Sequence, residues 1–487
     1  MLKQSFDVLT QGWIPVIDTS GQQKLLGIRD VLLQAHELRE VSDGSPLAEY
    51  AVYRFLSVFL MDALRPEDNI AIDELLEAGE FDAEALDEYI SQCRAEGVSF
   101  DLFDEKRPFM QAPFRAEWDK VRKPASTLDY TIPNGNNHTH FDHRENQLIS
   151  FSYGEAMRVL LAAQLFCTAG AQGYPSGVNG APPYFGLIRG KNLFQTLVYS
   201  MISIDQPRDF DSMPVLWRNE MVIEPKKQVT NISWLYGMQF PTRRILLIPD
   251  EKTETVKEIY FSQGLNYTAV DNWTDPHVTY RRNKDGRFPW RPNHEKAIWR
   301  NLHDLIGKNK SLIVTQYVEK LEQHLLEKSQ YIPLTIYGVQ TNNANYLTSI
   351  RQDFDIPEEM LRNQDCAQHI ERDIRWAEQT ASALRKALTH EEVPPQNAAQ
   401  AETEFYDACG TALLELCKQD LATAHPDFKE CRRKWIEEVI DTEAKAALNR
   451  AMQRISLRGQ AMMDVTHQQG ILFAALRQIR KENQTDG

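Results

Sequence analysis

The sequence is poor in the features that mark exported, membrane-spanning and thiolate-metal proteins. Its 487 residues include six cysteines, and no two of them form a C-x-x-C pair. Such usage fits a reducing compartment and argues against a zinc site built from thiolates. No apolar run approaches the length of a membrane span, and the opening residues, MLKQSFDVLTQGWIPVID, lack the apolar core of a signal peptide. We therefore expect a cytoplasmic protein that has no membrane partner.

Positive charge is also scarce. The chain has 54 lysine and arginine residues against 69 aspartate and glutamate residues, which gives a formal net charge of −15. This balance disfavours a freestanding nucleic-acid binder, because neutralising phosphates requires clustered lysine and arginine. It still allows a subunit that meets nucleic acid through a few loops while basic partners hold the phosphate backbone.

Nucleotide-binding and catalytic motifs are missing as well, with one exception. Neither G-x-x-x-x-G-K-[ST] nor G-x-G-x-x-G occurs. The exception is the histidine loop, residues 136–146 (NNHTHFDHREN), in which His138, His140, Asp142 and His143 spell the H-x-H-x-D-H of metallo-β-lactamase-type hydrolases. That metal site needs a buried apolar strand before it, whereas the preceding DYTIPNGNN is polar and turn-forming. We favour a structural or recognition loop, and a metal-dependent hydrolase is the alternative.

Hydrophobic periodicity divides the chain into two regions. Before about residue 360, short β-like runs alternate with helices but without the regular strand–helix order of a doubly wound sheet. Beyond it, four amphipathic stretches with short connections follow, the first marked by Ile374, Ala377, Ala381 and Leu384. We predict an α+β fold, with a mixed N-terminal domain over residues 1–360 and a C-terminal four-helix bundle over residues 361–487.

Two loops are suited to binding rather than to catalysis. The glycine segment, residues 169–186 (AGAQGYPSGVNGAPPYFG), contains five glycines, which let a backbone approach another surface closely, including a DNA groove. The asparagine tip, residues 342–344 (Asn342, Asn343, Ala344), follows a β-like run and favours a tight turn. A projecting amide tip is shaped to enter a groove or to wedge between base pairs. A plain loop and a plain hairpin tip are the alternatives.

Basic side chains line one face of a C-terminal helix. Arg450, Arg454 and Arg458 recur at i, i+4 and i+8 and form the arginine stripe. A solvated helix face is one interpretation, and a track for the DNA backbone is the other.

Five stretches, taken in order, resemble one protein family. That family is the large subunit, CasA, of the type I-E CRISPR surveillance complex, Cascade. Each motif is weak alone, but their order and spacing extend over nearly the whole chain. The stretches are GWIPV (12–16), RPFMQ (107–111), QGYPSGVNGAPPYFGLIRGKNL (172–193), the run from PVLW through WLYGMQFPTRR (214–244) and TNNAN (341–345).

The resemblance implies a non-catalytic subunit. It would recognise the protospacer-adjacent motif (PAM) in double-stranded target DNA, help open the duplex for crRNA pairing and dock the helicase-nuclease, with the other Cascade subunits as partners. Ala171, Gln172 and Gly173 are implied to approach the PAM from the minor groove, and the asparagine tip to wedge beneath it. Minor-groove reading is degenerate and suits a short motif, and guide pairing then supplies sequence identity. A scaffold that never touches DNA is a further alternative.

The resemblance also assigns the histidine loop. Its position matches the family's long loop that inserts toward the crRNA 5′ handle. His138, His140, Phe141 and His143 are therefore implied to stack on, or hydrogen-bond to, exposed nucleotides, which single-stranded RNA permits.

The chain departs from the family pattern in three places. Some members bind zinc through cysteines after the RRILL-like strand, but DEKTETVKEIYF has no cysteine, so no metal or other cofactor is expected. Some members place a lysine in the minor groove near FSQGLNYTAV, where Ser262, Gln263 and Gly264 stand here. Asn343 occupies a position at which a glutamine is known in the family. PAM preference can differ accordingly.

Overall fold

The structure is a computed structural model, and it divides the chain into two compact units. The first unit contains Met1–Pro292, Ser311–Leu326 and Leu334–Asp353, and the second contains Asn293–Lys310, Glu327–Pro333 and Phe354–Gly487. The last segment of the second unit starts at Phe354, and two short earlier segments belong to the same unit. The described residues are 4–114, 122–132, 149–168, 173–219, 224, 226–269, 272–284, 286–293, 296–322, 331–342, 345–362, 364–389, 393–421, 427–454 and 460–485.

Helices and strands alternate irregularly along the chain, and the prediction of a mixed α+β fold is confirmed. The helices are α1 (Ile28–Leu33), α2 (Pro46–Leu64), α3 (Asn69–Ala78), α4 (Ala83–Ala95), α5 (Tyr153–Leu165), α6 (Leu193–Tyr199), α7 (Trp234–Gly237), α8 (Leu302–Ile306), α9 (Leu312–Glu322), α10 (Glu358–Arg362), α11 (Gln364–Ala387), α12 (Pro395–Leu421), α13 (Phe428–Lys434), α14 (Asp441–Gln453) and α15 (Gln460–Thr485). The strands are β1 (Ile14–Asp18), β2 (Gln23–Leu26), β3 (Leu38–Val41), β4 (Arg122–Pro124), β5 (Phe151–Ser152), β6 (Phe185–Ile188), β7 (Gln228–Val229), β8 (Arg243–Asp250), β9 (Thr255–Gln263), β10 (Asn266–Tyr267), β11 (Tyr280–Asn283), β12 (Gly286–Pro289), β13 (Tyr331–Asn342) and β14 (Asn345–Pro357). Within the described ranges, no helix is both long enough and apolar enough to cross a membrane.

The strands pair into several small sheets rather than one large one. The order β14-β13-β6 forms one sheet, and β9 pairs with β4, β5 and β8 in another. The order β2-β1-β3 forms a third, and the pairs β10-β7 and β11-β12 complete the described set. Small sheets have little interior of their own, so helices must cover them to complete a core.

The α2 helix is the centre of the first unit. Ser45 caps its N-terminus through Ala48 N–H, and Pro46 follows at the first helical position. Almost every side chain along it is buried, which identifies a helix surrounded by protein rather than an amphipathic surface helix. Tyr50 stacks on Phe185 of β6 and on Tyr337 of β13, with ring centroids 4.8 and 5.1 Å away. The core helix therefore fixes the sheet that ends at the asparagine tip.

The second unit is helical in its C-terminal part. Helix α11 contacts α12, α14 and α15, while α14 also contacts α12 and α15. The predicted apolar face of α11 is buried at Ile374, Ala377, Ala381 and Leu384. A π-helical turn, Trp435–Ile440, joins α13 to α14 without a break.

A tryptophan explains why residues 293–310 belong to the second unit. The Trp299 ring packs edge-on against Trp435, with centroids 5.7 Å apart. It also covers Gly410, where a Cβ atom would lie 2.4 Å from the indole Nε1. A larger residue at 410 has no room, so this glycine provides close approach between two elements that are distant in the sequence.

Candidate nucleic-acid interface

The described part of the glycine segment has a backbone that glycine makes possible. Gly173 and Gly180 have φ angles of +73° and +77°, in the left-handed region. The Gly180 N–H donates to the Gly177 carbonyl at 2.8 Å, which closes a tight turn. A Cβ atom at Gly180 would lie 2.7 Å from Nη2 of Arg291. Any other residue at 180 would therefore be strained and would displace an arginine.

Four basic side chains, here called the cation cluster, surround this segment. Lys123 Nζ lies 3.4 Å from the Tyr174 hydroxyl and 5.5 Å from the centre of the Tyr174 ring. Lys226 Nζ lies 3.3 Å from the position a Cβ atom would take at Gly173. The other two members, Arg243 and Arg291, donate to carbonyls of the segment or its flanks.

No carboxylate in the described part of the chain pairs with the cation cluster. In a chain whose formal charge is −15, a group of cations without carboxylates produces a local positive potential. Exposed Gly173 and exposed Lys226 lie at the surface of this group. An anionic backbone is the ligand that such a surface would attract.

Lys226 is held in an unusual conformation. Its φ angle is +60°, which is uncommon for a residue with a side chain. Its N–H donates to the Gly264 carbonyl at 2.9 Å. This hydrogen bond fixes the Lys226 backbone beside Ser262, Gln263 and Gly264, a segment that itself contains no lysine.

A buried ion pair anchors the second half of the glycine segment. Asn179 Nδ2 donates to Asp275 Oδ2 at 3.1 Å, and the Tyr280 hydroxyl donates to Asn179 Oδ1 at 3.0 Å. Asp275 is itself paired with Arg54 of α2. These side chains are all buried, so the turn at 177–180 is bonded to the core rather than only resting on it.

Strand register places Asn342 and the described residues that precede β6 at the same end of the sheet. β13 is antiparallel to β6, with Leu334 opposite Ile188 and Tyr337 opposite Phe185. Beyond Tyr337, β13 therefore runs beside the residues that precede β6, which are those of the glycine segment. A Cβ atom at Gly338 would lie 3.0 Å from the Tyr184 ring. From Tyr337 to the end of β13 at Asn342, an extended strand covers roughly 17 Å.

The asparagine tip lies between two strands that α2 holds in place. β13 ends at Asn342 and β14 begins at Asn345, while Asn343 and Ala344 lie outside the described residues. The Tyr337 hydroxyl donates to Glu49 at 2.6 Å, and Arg351 Nε pairs with the same carboxylate at 3.0 Å. Burial raises the pKa of Glu49, although both partners act to lower it.

Arg450 and Arg454 of the arginine stripe lie together and contact carboxylates. Arg450 Nε and Arg454 Nη2 pair with Glu404 of α12 at 3.0 and 2.5 Å. The hydrogen bond from Arg454, followed by that from Arg450, lowers the pKa of Glu404 despite an opposing effect of burial. Arg450 Nη2 also lies 3.9 Å from a carboxylate oxygen of Glu443, so these two arginines face two carboxylates. Arg458 lies outside the described residues.

Several predicted site residues fall outside the described residues. Ala171 and Gln172 do, and so do His138, His140, Phe141 and His143 of the histidine loop. The hydrolase alternative depends on the same loop and has no structural test here. Within the described ranges, no group of three or more histidine, cysteine, aspartate or glutamate side chains could hold a metal ion.

Sequence reasoning missed the cation cluster as a unit. Arg243 belongs to the PTRR stretch, but that stretch does not show where the guanidinium points. Lys123, Lys226 and Arg291 come from separate segments whose local patterns carry no signal for binding. An excess of lysine and arginine over nearby carboxylates in the folded chain is the signal that identifies them.

Comparisons with known proteins agree on one family. The model of the CRISPR-associated protein Cse1 family matches residues 7–458. A CasA/Cse1 protein of Thermus thermophilus is 25% identical over 400 residues, covering 78% of this chain and 77% of the relative. The crystal structure of Cse1 from Acidimicrobium ferrooxidans superposes with a TM-score of 0.80 at 18% identity, covering 99% of both chains. A chain of a CRISPR RNA-guided surveillance complex superposes with a TM-score of 0.71 at 19% identity, covering 96% of this chain and 99% of that one.

Proposed function

This chain belongs to the CRISPR-associated protein Cse1 family, and from that membership we propose that it is a non-catalytic subunit of a CRISPR surveillance complex of the Cascade type. Its task there is to recognise the PAM in double-stranded target DNA, to open the duplex for crRNA pairing and to help recruit the helicase-nuclease. Its partners are the other Cascade subunits, crRNA, target DNA and that nuclease. A chain similar to this one occurs in a CRISPR RNA-guided surveillance complex, which supports assembly with such partners.

The observation that carries the proposal is the cation cluster around an exposed glycine backbone. A short motif read from the minor groove needs a surface that comes close without bulky side chains, and Gly173 has that character. Phosphates on either side of the groove need cations that are not already paired, and Lys226 supplies one. Ala171 and Gln172 precede Gly173 in the chain and are proposed to act with it.

The asparagine tip is proposed to wedge the duplex. The pairing of β13 with β6 supports this role, because the strand that leads to Asn342 runs beside the residues that precede β6, as two elements acting on one duplex would require. The tip follows a strand whose core is fixed to α2 through Glu49, so Asn342, Asn343 and Ala344 would be presented on a firm support. Inserting such a tip lowers the cost of beginning strand separation.

Two further contacts complete the proposal. His138, His140, Phe141 and His143 are proposed to meet the crRNA handle through stacking and hydrogen bonds. The arginine stripe (Arg450, Arg454, Arg458) is proposed to follow the DNA backbone, with Glu404 moderating its charge.

The decisive experiment measures motif discrimination by the assembled complex. Cascade reconstituted with crRNA, with and without this chain, is offered target duplexes that differ only in randomised bases beside the protospacer. The proposal expects the complete complex to enrich a subset of flanking sequences and the depleted complex to enrich none. Equal binding of all flanks by both complexes would refute PAM recognition and leave the scaffold alternative.

Elemental analysis distinguishes a metal-dependent hydrolase from the proposed recognition subunit. Stoichiometric zinc, iron or manganese in the purified chain, lost when His138 and His140 are replaced by alanine, would favour a metal-dependent hydrolase. A preparation without such metal is expected for the recognition subunit.

A further inference from the structure

Arg243 bridges Thr168, which precedes the glycine segment, and Pro175 within that segment. Its Nη2 donates to the Thr168 carbonyl at 2.6 Å, and its Nη1 donates to the Pro175 carbonyl at 2.7 Å. In the sequence, residues 169–174 connect Thr168 to Pro175, and of these Gly173 and Tyr174 are described. One side chain therefore sets the distance between the points at which the loop leaves and rejoins the scaffold.

Arg243 is itself fixed from both sides. It begins β8, and its backbone N–H and C=O form reciprocal hydrogen bonds with the Gln164 amide of α5 at 3.0 and 2.7 Å. Its guanidinium lies 5.0 Å from the centre of the Tyr174 ring, in the range of a cation–π contact. The residue is only 3% exposed. Arg243 thus connects α5, β8 and the glycine segment.

Arginine has properties at this position that lysine does not share. The guanidinium is a planar fork that can donate to several carbonyls at once, whereas an ammonium is a point charge on a flexible stem. Nη1 donates to the Thr242 carbonyl as well, at 3.1 Å. Among the described residues, no carboxylate forms an ion pair with Arg243, so carbonyl dipoles and an aromatic face stabilise its charge. The backbone carbonyls stabilise the buried charge of Arg243, and the guanidinium in turn holds those carbonyls in place.

We propose that Arg243 is a positioning residue that presets residues 173–180 of the glycine segment for reading the DNA flank, without touching the DNA itself. The inference rests on the proposed function. It follows from the bridge between Thr168 and Pro175, from the burial of the guanidinium and from its place directly beneath Tyr174. A preformed loop does not have to be ordered when the duplex binds, so its contacts can be used for discrimination.

The test compares Arg243→Lys and Arg243→Gln in the reconstituted complex. Both variants are expected to lower the affinity ratio between preferred and non-preferred flanks by about tenfold, with the lysine variant less affected. Because the residue does not contact phosphate, the dependence of log affinity on log salt should change by clearly less than the roughly 0.9 that one lost phosphate contact gives. Amide hydrogen exchange of residues 173–180 in the chain should become faster.

Arg122→Gln is the matched control. Arg122 lies on β4 beside Lys123, pairs with Glu258 and is exposed, so its loss removes the same charge without releasing the loop. It should leave discrimination and exchange unchanged. If Arg243→Gln does not fold, the lysine variant decides alone.

The outcomes separate this inference from the proposed function. Full discrimination in Arg243→Lys, with unchanged exchange at 173–180, would overturn the positioning role while PAM recognition stands. A drop in salt slope of about 0.9 would overturn it in favour of a direct phosphate contact. A wild-type complex that discriminates no flanks would overturn PAM recognition, and the role assigned to Arg243 with it.

Discussion

Arg54 and Asp275 form an ion pair that is closed off from solvent. Nη2 and Oδ2 lie 2.8 Å apart, and the two side chains are 3% and 0% exposed. Burial raises the pKa of Asp275, but the charge and hydrogen bond of Arg54 outweigh that effect and hold the pKa below its ordinary value. Asp275 also accepts a hydrogen bond from Asn179 in the glycine segment. The pair therefore links the stability of the first unit to the geometry of its candidate site.

Asp275→Asn should strongly destabilise the first unit. The change leaves the Arg54 charge buried without its carboxylate, which costs on the order of 3–5 kcal/mol. Thermal unfolding of the purified chain would show this as a clearly lower midpoint. Asp211→Asn is the matched control, because the Arg65–Asp211 pair is exposed and should be worth less than about 1 kcal/mol. Equal shifts from the two variants would contradict a special role for the buried pair.

Acid should destabilise the protein through His277. Burial lowers the pKa of His277 to about 4, with a smaller opposing effect of Asp275. The unfolded chain takes up the proton near pH 6.5 and the folded chain only near pH 4. The stability that neutral His277 contributes is thus complete above pH 6.5 and lost as pH falls toward 4. The loss is about 3 kcal/mol.

Urea unfolding of wild type and His277→Gln across that pH range measures this effect. The glutamine variant should lose less stability on acidification than wild type, since it has no proton to take up at that position. Parallel profiles would show that acid acts on other groups.

Lys226→Ala should weaken binding of target duplex by the assembled complex. An exposed ammonium without a carboxylate partner among the described residues is free to meet a phosphate, so its loss should cost roughly five- to tenfold in affinity. The slope of log affinity against log salt should become shallower by about 0.9. Binding at several salt concentrations gives both quantities.

The neighbouring lysine provides the control. Lys227 pairs with Glu224 at 3.1 Å, so Lys227→Ala removes a charge that is already balanced and should have a smaller effect. If both alanine variants bind alike, Lys226 is not a DNA contact.

Replacing Asn342 and Asn343 together by alanine should leave assembly intact and weaken duplex binding. Without the wedge, nothing offsets the free energy needed to unstack a base step. The affinity for duplex is therefore expected to fall at least about tenfold. A duplex already unpaired beside the PAM should restore binding. Thr348→Ala, an exposed change on the same hairpin, should bind like wild type. Unchanged duplex binding by the double variant would show that the asparagine tip does not act as a wedge.

Removing positive charge and removing negative charge at the arginine stripe should have opposite effects on the binding of target duplex. Arg450, Arg454 and Arg458 changed together to glutamate should weaken duplex binding and lower its salt sensitivity. Glu404→Gln removes the carboxylate nearest to Arg450 and Arg454, leaving Glu443 beside Arg450, and should strengthen binding and steepen the salt dependence. If neither variant moves the salt slope, the stripe is a solvated helix face.

Local sequence determined the elements of this protein. The apolar face of α11 at Ile374, Ala377, Ala381 and Leu384 was visible as a helical period and is buried, because that period depends only on 3.6 residues per turn. The strand that ends at Asn342 follows equally from the β-like run that precedes a predicted turn. The order of weak motifs was enough to identify the family.

Tertiary structure alone decided which side chains meet. Lys123 on β4, Arg243 on β8, Lys226 and Arg291 lie far apart in sequence, and only strand pairing and loop packing gather them around the glycine segment. The same applies to Glu404, which meets Arg450 and Arg454 only because α12 packs on α14. Charge balance depends on distances of a few ångströms, and long-range packing sets those distances while local periodicity does not.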